Sequence, residues 1–392
     1  MKLSVGVFFG GQSVEHEVSV ISAVQAMHSM DRQKYDVVPF YVTKDGILYT
    51  GDALFDIAEY KNIPALLAKC AHVFLGRKNA KEVWAVLAKP KMFSSADVAR
   101  IDLAFPIVHG AGTEDGSMQG WFESLRLPYV GCDIAASAIG MDKVRQKDVL
   151  RAAGVPVLDA FAFSAGDYID GPAAVMSACE EHFGYPVIIK PAGLGSSVGI
   201  KVAADRQGLE KAIDLACEFS TRILAERAIT NLREINCAVL GDEDTAIPSA
   251  CEEPVSAGEI LSYGDKYLSG GKDSGMSGAT RRLPAELSPA KEAEIKELAI
   301  KTFKALGFAG VVRIDFLMDG DTVYVNEPNT IPGSLAFYLF EAAGLPYSQM
   351  LDKMIELSLK RVRRESTLRH SFETNIFALK ADSKLKGGIK KQ

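Results

Sequence analysis

The sequence predicts an α/β protein that begins with a parallel β-sheet. An apolar strand at residues 3–10, a helical segment at 16–30 and an apolar strand at 35–42 follow one another in the order of a βαβ unit, whose crossover is right-handed in nearly all proteins. A further apolar strand, "IDLAFPIVHG", occupies residues 101–110. The chain has 392 residues, 48% of them hydrophobic, which is enough for two or three domains.

Composition argues against several classes of protein. The formal net charge of −6 argues against a nucleic-acid-binding or anionic-membrane surface. No run of 18 apolar residues occurs, so no transmembrane helix is expected, and the first apolar run is too short for a signal peptide. The six cysteines lack the spacing of metal or redox motifs, and we expect them to be reduced thiols of a cytoplasmic protein.

The stretch "PVIIKPAGLGSSVGIKV" (186–202) combines a lysine with a Gly-rich loop. In a Walker A loop the lysine follows the glycines and a helix comes next. Here Lys190 precedes the loop, which joins two apolar strands. This order predicts a hairpin that folds over a triphosphate, with the N–H groups and the hydroxyls of Ser196 and Ser197 covering the phosphates and Lys190 as a point charge. An ordinary hairpin with a Gly-rich turn is the open alternative.

A second hairpin, at residues 310–330, carries paired polar residues. Arg313 and Asp315 are two positions apart, and so are Glu327 and Asn329. Because side chains alternate along a strand, each pair points to one face. A three-residue turn would bring all four side chains to the same face, whereas a two-residue turn would shift the register by one and separate the pairs.

Converging on one face, these side chains would form a site of hard oxygen ligands. Two carboxylates and an amide oxygen suit Mg²⁺, which binds one or two carboxylates together with substrate phosphates. The alternative is a solvent-facing stripe that contains an Arg–carboxylate pair. The crowding of prolines 328 and 332 just beyond the strand favours the metal site.

Eight segments form a combined pattern along the chain: "GGQSVEHEVS" (10–19), "HGAGTEDGSMQGWFESLRLPYVG" (109–131), "SAIGMDK" (137–143), "VIIKPAGLGSSVGI" (187–200), "REINCAVLG" (233–241), "DKY" (265–267), "RIDF" (313–316) and "NEPNTIPG" (326–333). Their order resembles the D-alanine–D-alanine ligase family of ATP-grasp enzymes. The resemblance implies an ATP-grasp fold, with a Rossmann-like parallel-sheet domain (residues 1–132) that binds the first D-alanine. Two α+β subdomains (133–225 and 226–392) would then sandwich ATP.

The resemblance also implies a reaction. ATP phosphorylates the carboxylate of one D-alanine, and the amine of a second attacks the acyl phosphate to give D-alanyl-D-alanine for peptidoglycan synthesis. Two Mg²⁺ ions, with Mn²⁺ as a substitute, would be held by Asp315, Glu327 and Asn329. Family members commonly dimerise through the first domain, so the resemblance allows a homodimer.

For the nucleotide, the resemblance assigns the phosphates to Lys143 and Lys190. Glu226 and Glu234 align with the residues that read adenine and ribose. Arg227 lies beside Glu226 at a position where the family commonly has a different residue, and we expect it to contact the nucleotide as well.

For the first substrate, the resemblance assigns the ammonium group to Glu15, although a carboxylate at the start of a helix is also favoured by the helix dipole. His109 matches an active-site residue, but a lone histidine at a strand end is more often structural. Arg313 and the N–H group of Gly333 match the groups that stabilise the oxyanion of the tetrahedral intermediate.

The acceptor side departs from the family pattern. By resemblance, Tyr267 closes the site by bonding towards Ser196, which reaches Glu15, and Lys266 beside it contacts substrate. Tyr338 and Leu339 occupy positions where most members bind the acceptor carboxylate through a Ser-Leu pair. We predict D-alanine as acceptor, with D-serine as the alternative. Another ATP-grasp carboxylate–amine ligase and a non-catalytic nucleotide-binding protein are the competing hypotheses.

Overall fold

The computed structural model describes residues 2–79, 82–90, 95–110, 112, 114–195, 198–254 and 281–369. Four residues assigned above from the sequence, Ser196, Ser197, Lys266 and Tyr267, lie outside the described residues. None of the helices in the described ranges combines the length and the apolar character that a membrane span requires.

The first sheet begins with the predicted parallel unit. Strand β1 (Leu3–Gly10) lies between β2 (Tyr35–Val42) and β7 (Leu103–Val108) and is parallel to both. Helix α1 (His16–Ser29) connects β1 to β2. Strand β7 is buried along its whole length, as expected of a parallel strand covered on both faces. The prediction of an N-terminal parallel sheet is confirmed.

Residues 45–100 extend this sheet with antiparallel strands. The added elements are β3 (Leu48–Thr50), two 3₁₀ turns (Asp52–Phe55 and Ile57–Lys61), α2 (Ile63–Ala68), β4 (Ala71–Arg77), β5 (Val83–Leu87) and β6 (Asp97–Ile101). The seven strands are ordered β6-β5-β4-β3-β2-β1-β7. After β7, the chain continues through α3 (Ser117–Ser124), α4 (Ile134–Met141) and α5 (Lys143–Ala152).

The second sheet has four antiparallel strands and contains the Gly-rich hairpin. Its elements are β8 (Ala160–Ser164), α6 (Ala165–Asp170), α7 (Pro172–Phe183), β9 (Val187–Pro191), β10 (Lys201–Ala203), α8 (Arg206–Cys217) and β11 (Arg222–Arg227). The order is β10-β9-β11-β8, and β9 pairs with β10 as predicted. Along β9, Val187 and Ile189 pack into the core beneath the helices, whereas Ile188 and Lys190 face a cavity, because side chains alternate on a strand.

The third sheet has five antiparallel strands. Its elements, with the helices that follow, are β12 (Leu232–Gly241), β13 (Ala246–Pro254), β14 (Arg281–Arg282), α9 (Pro289–Ala305), β15 (Gly310–Asp319), β16 (Thr322–Asn329), a 3₁₀ turn (Gly333–Ala336), α10 (Phe337–Ala342) and α11 (Tyr347–Glu365). The order is β14-β13-β12-β15-β16. Helix α9 is capped by Ser288, whose side chain accepts a hydrogen bond from the N–H of Lys291.

The turn between β15 and β16 is the shorter of the two considered from the sequence. Asp319 pairs with Thr322, so the turn has two residues and not three. One residue of β16, Asn326, is then inserted as a bulge between the pairs Phe316–Val325 and Asp315–Glu327. The bulge restores the side-chain alternation that the two-residue turn would have reversed. The three-residue turn is therefore wrong, but the predicted common face of the four polar residues is present.

The packing of α4 and α5 bears on the domain division, which stays a prediction. Ala136 and Leu150 of these helices belong to the apolar core beneath the third sheet, with Phe303 and Ile314. The second sheet has a separate core with its own helices. We therefore propose that the central unit begins nearer β8 than residue 133.

Candidate active site

Two cavities adjoin each other at the third sheet. The larger, of about 430 Å³, lies between this sheet and the start of α1, and the smaller, of about 300 Å³, lies between the second and third sheets. Four residues line both cavities: Lys143, Glu234, Asp315 and Glu327. The two spaces therefore meet at a cluster of one lysine and three carboxylates.

The smaller cavity combines apolar walls with a buried charged group. Ile188 and Val202 of the second sheet line it from one side, and Phe316 and Leu317 of the third sheet from the other. Such a slot suits a flat aromatic ring between apolar surfaces. Arg227, at the end of β11, also lines this cavity and forms an ion pair of 2.8 Å with Asp319.

Glu226 is the fully buried acidic residue of this cavity. Its carboxylate accepts a bond of 2.7 Å from Lys190 and lies 2.6 Å from the ammonium group of Lys147. Burial alone would raise the pKa of Glu226, but the two lysines lower it to about 2. The carboxylate is therefore charged at neutral pH and acts only as an acceptor.

Asn326, the bulged residue of β16, links the buried pair of Lys190 and Glu226 to the second hairpin. Its side-chain oxygen accepts a bond of 3.1 Å from Lys190, and its main-chain carbonyl accepts one of 3.1 Å from the Gln146 amide. Neither Asn326 nor Lys147 was assigned from the sequence. The signal for Asn326 was the two-residue turn, because two polar pairs can share a face across such a turn only if a bulge intervenes.

The polar pairs of the second hairpin meet where the two cavities join. Asp315 accepts two bonds from Arg313, of 2.6 and 2.8 Å, and a third of 3.1 Å from Asn329. Glu327 forms an ion pair of 2.7 Å with Lys143, which also donates to the Leu194 carbonyl at 2.6 Å. The side chains of Asp315 and Glu327 are only 15% and 14% exposed, so the solvent-facing stripe is wrong.

The oxygen-bearing side chains of Asp315, Glu327 and Asn329 fit a divalent ion that also binds substrate. The described residues contain no group of three His, Cys, Asp or Glu side chains arranged to hold a metal. Two carboxylates and an amide are the ligand set of an ion that completes its shell with phosphate oxygens and water. Asp315 also raises the pKa of Arg313 against the effect of burial, so the guanidinium stays charged.

Glu15 lies at the start of α1 and lines the larger cavity. It is the N-cap residue of the helix, yet its side chain caps no N–H group of that helix. The carboxylate is therefore not used as a cap, although the helix dipole considered from the sequence still favours it. With 9% exposure and the positive end of the helix beside it, the carboxylate faces the cavity, where it can accept bonds from a cationic ligand.

Glu114, in the loop after β7, binds the segment that follows β16. Glu114 is buried and accepts bonds of 2.8 Å from the Ile331 N–H and 3.0 Å from the Thr330 hydroxyl. Burial, followed by the charge of Glu15, raises the pKa of Glu114 to about 7. Sequence reasoning did not assign Glu114, because a glutamate in a loop gives no signal of its contacts 216 and 217 positions away.

His109 fixes the same segment from the end of β7. Its Nδ1 lies 2.7 Å from the Ile331 carbonyl, and its Nε2 lies 3.2 Å from the Ser22 hydroxyl. The Ser22 hydroxyl also accepts a bond of 2.8 Å from the Ser334 N–H. His109 lines the larger cavity as well, and burial lowers its pKa, so the ring is neutral at pH 7. Gly333 also lines this cavity. It is held in place because Ile331 and Ser334, on either side of it in the chain, make these bonds.

Comparison with known proteins decides the family. The family model described as "D-ala D-ala ligase N-terminus" matches residues 4–132, and the model "D-ala D-ala ligase C-terminus" matches residues 149–356. This chain belongs to the D-alanine–D-alanine ligase family. A curated relative, the D-alanine–D-alanine ligase of Thermosipho melanesiensis, is 38% identical over 379 residues, which cover 96% of this chain and 99% of the relative.

Solved structures of the ligase family share its fold. The D-alanine–D-alanine ligase of Coxiella burnetii has a TM-score of 0.78 at 30% identity, over 93% of this chain and 96% of that one. The VanG D-Ala:D-Ser ligase of Enterococcus faecalis has a TM-score of 0.76 at 30% identity, over 91% of this chain and 100% of that one. The fold is accordingly the ATP-grasp fold expected from the resemblance, and the protein is a ligase.

The segment after Gly333, which the sequence assigned to the acceptor side, begins with an unusual turn. Ser334, Leu335 and Ala336 have φ values of 50°, 52° and 50°, a left-handed turn made without glycine. Each such residue costs about 1 kcal/mol or more, and here the turn is held by the contacts of Ser334 with α1. It directs Tyr338 into the larger cavity. The side chain of Leu339, which was also assigned to substrate from the sequence, is buried in the apolar core, and its assignment stays a prediction.

Proposed function

We propose that this ligase joins two D-alanine molecules to D-alanyl-D-alanine, with conversion of ATP to ADP and phosphate. The observation that supports this most is the meeting of the two cavities at Lys143, Glu234, Asp315 and Glu327. A nucleotide in the apolar slot would place its terminal phosphate at this junction. An amino acid held by Glu15 would lie on the other side of the same residues.

The first step is phosphoryl transfer. An oxygen of the donor carboxylate attacks the γ-phosphorus, and the bond between that phosphorus and the oxygen of ADP breaks. Lys143 and Lys190 are within reach of the junction as cations for the phosphates, and Glu226, charged and fixed by two lysines, would accept a bond from the adenine amine. Glu234 would accept bonds from the ribose.

Asp315, Glu327 and Asn329 would hold Mg²⁺. We expect two ions, as the resemblance implies, with Mn²⁺ as a substitute. When bound, magnesium neutralises negative charge on the transferring phosphoryl group. The protein's own contribution is to keep both carboxylates mostly out of solvent, at 15% and 14% exposure, and on one face of the hairpin.

The second step forms the peptide bond. The amine of the acceptor attacks the carbonyl carbon of the acyl phosphate, and the resulting oxyanion is stabilised by Arg313 and the Gly333 N–H. The carbon–oxygen bond then breaks, phosphate leaves with the electron pair, and the proton lost by the attacking nitrogen is released to water. Glu15 orients the donor through its ammonium group, while His109 and Glu114 keep Gly333 in position.

The decisive assay is formation of the dipeptide by the purified protein. With ATP, Mg²⁺ and D-alanine, we expect one ADP for each D-alanyl-D-alanine detected by mass spectrometry. ATP hydrolysis that ignores D-alanine would favour a ligase for a different acid. ATP binding without turnover would favour a non-catalytic nucleotide-binding protein.

D-Serine is the second candidate acceptor, because a structural relative at 30% identity is a D-Ala:D-Ser ligase. We expect kcat/KM to be higher for D-alanine than for D-serine or D-lactate. A large excess for D-serine or D-lactate would contradict the choice of acceptor. We place the reaction in the cytoplasm, where peptidoglycan precursors are assembled, and propose a homodimer that gel filtration with light scattering would test.

A further inference from the structure

Tyr338 is anchored at the acceptor side of the larger cavity by Glu252. Its hydroxyl donates a bond of 2.9 Å to the Glu252 carboxylate, which also accepts one of 3.0 Å from the Asn236 amide. Glu252 is buried, so this carboxylate must keep its donors. Burial and the charge of Glu252 raise the pKa of Tyr338, and the phenol stays a hydrogen-bond donor. The ring therefore forms a fixed wall.

Arg281, on β14, lies against this wall. Its guanidinium carbon is 4.3 Å from the centre of the Tyr338 ring, and one of its nitrogens is 3.5 Å from Glu252. Stacking of this kind fixes the plane of the guanidinium and directs its N–H groups sideways. The side chain is 22% exposed and lines the larger cavity.

The basic side chains of the larger cavity lie in two different places. Three lining residues in the described ranges have basic side chains: Lys143, Arg281 and Arg313. Lys143 is paired with Glu327 and Arg313 makes two bonds to Asp315, both at the junction with the smaller cavity. Arg281, whose ion-pair partner is Glu252, lies beside Tyr338, and Tyr338 is within electrostatic reach of Arg313 as well. Arg281 is thus a basic residue of the larger cavity that does not line the smaller one.

An acceptor amino acid brings a carboxylate of its own into this cavity. Its amine must approach the carbonyl carbon near Arg313, and its carboxylate must lie one carbon further away. A buried carboxylate without a cation is costly, and six acidic side chains already line the cavity: Glu15, Glu114, Glu234, Glu252, Asp315 and Glu327. The planar guanidinium of an arginine in this cavity can satisfy such a carboxylate with two parallel hydrogen bonds.

We propose that Arg281, stacked on Tyr338 and held by Glu252, binds the carboxylate of the acceptor amino acid and so selects amino acids over amines. The assignment rests on the proposed dipeptide-forming activity and names the acceptor subsite of that same reaction. This assignment gives a role to the tyrosine at position 338. The left-handed turn after Gly333 directs its ring into the cavity, where Arg281 stacks on it.

A competition between two acceptors tests this assignment. D-Alaninamide has the amine but no carboxylate, so it can serve only as acceptor. In a mixture with D-alanine and ATP, the ratio of D-alanyl-D-alanine to D-alanyl-D-alaninamide reports the ratio of acceptor kcat/KM values. We expect Arg281→Met to shift this ratio towards the amide by on the order of 10-fold or more, and Arg281→Lys to shift it less.

Two further variants keep the test decisive. Arg282→Met is the matched control, because Arg282 pairs with Glu253 and does not line the cavity, and its ratio should equal that of the wild type. Tyr338→Phe keeps the ring but loses the bond to Glu252, and should shift the ratio towards the amide by about 3-fold. It reports on the subsite even if Arg281→Met does not fold.

The outcomes separate the two proposals. An unchanged ratio in Arg281→Met, or an equal loss of both products in the folded variant, would contradict the role of Arg281 and leave the dipeptide activity standing. A wild-type protein that makes neither product would contradict the proposed function and this assignment together.

Discussion

Asp315 and Glu327 lie opposite each other across the β15–β16 hairpin because one residue, Asn326, bulges out of β16. Without the bulge, the two-residue turn would send Glu327 and Asn329 to the far face of the sheet. The bulged residue is itself bound by Lys190 and Gln146. The bulge that brings the proposed metal ligands together therefore also contacts Lys190, the lysine that we propose to bind phosphate.

Substitution of Asn326 should affect nucleotide binding first. In Asn326→Ala, Lys190 loses one of its two side-chain acceptors and is drawn towards Glu226 alone. We expect KM for ATP to rise by roughly 10-fold, with a smaller change in kcat. Steady-state kinetics with varied ATP measures this. Thr322→Ala, at an exposed site on the same strand, is the control, and equal KM values for the two variants would show that the contact is irrelevant to nucleotide binding.

Lys147 should act as a positioning residue for the nucleotide, since it holds Glu226 but does not line the cavity. In Lys147→Met, Glu226 loses one of two cations, and we expect a loss of about 3 kcal/mol in the free energy of unfolding. Because Lys190 must then neutralise Glu226 alone, KM for ATP should rise as well. Arg145→Met, at an exposed site on the same helix, is the control. A loss of stability with an unchanged KM would restrict Lys147 to a structural role.

Glu114 gives the protein a specific pH dependence. Its folded-state pKa of about 7 exceeds the ordinary value of 4.5, so between these pH values the folded protein keeps a proton that the unfolded chain has lost. The free energy of unfolding should therefore fall as pH rises through this window, by up to about 3 kcal/mol. Urea unfolding at pH 5 and pH 8 should show this fall for the wild type and a smaller one for Glu114→Gln.

A matched variant isolates that effect. Glu297→Gln removes an exposed carboxylate on α9 and should keep the pH dependence of the wild type. If Glu114→Gln and Glu297→Gln show the same change between pH 5 and pH 8, the raised pKa of Glu114 is not what sets the dependence.

Sequence reasoning reached the residues that bear recognisable motifs. The alternation of Arg313, Asp315, Glu327 and Asn329 identified one polar face, and the position of Lys190 before its loop identified the hairpin of the second sheet. These features depend on neighbours in sequence, to which periodicity applies directly. Their mutual placement depends on the register, and there the bulge at Asn326 was not foreseen.

The residues that were missed act over long sequence distances. Glu114 contacts Thr330 and Ile331, and Lys147 contacts Glu226. No local sequence pattern encodes these contacts. The orientation of the helix after Ser334–Ala336 was not foreseen for a related reason: the left-handed turn sets its rotation, so that Tyr338 lines the cavity and the side chain of Leu339 is buried. Three non-glycine residues in a row with positive φ have no sequence signature.

The transfer of an oxygen atom tests the central claim, that the γ-phosphoryl group passes to the donor carboxylate where the two cavities meet. D-Alanine labelled with ¹⁸O in its carboxylate is incubated with ATP, Mg²⁺ and the protein in ordinary water, and the released phosphate is analysed by mass spectrometry. An acyl-phosphate intermediate predicts one ¹⁸O atom in each phosphate formed with a dipeptide. Phosphate without label, released in equal amount with the dipeptide, would contradict the account.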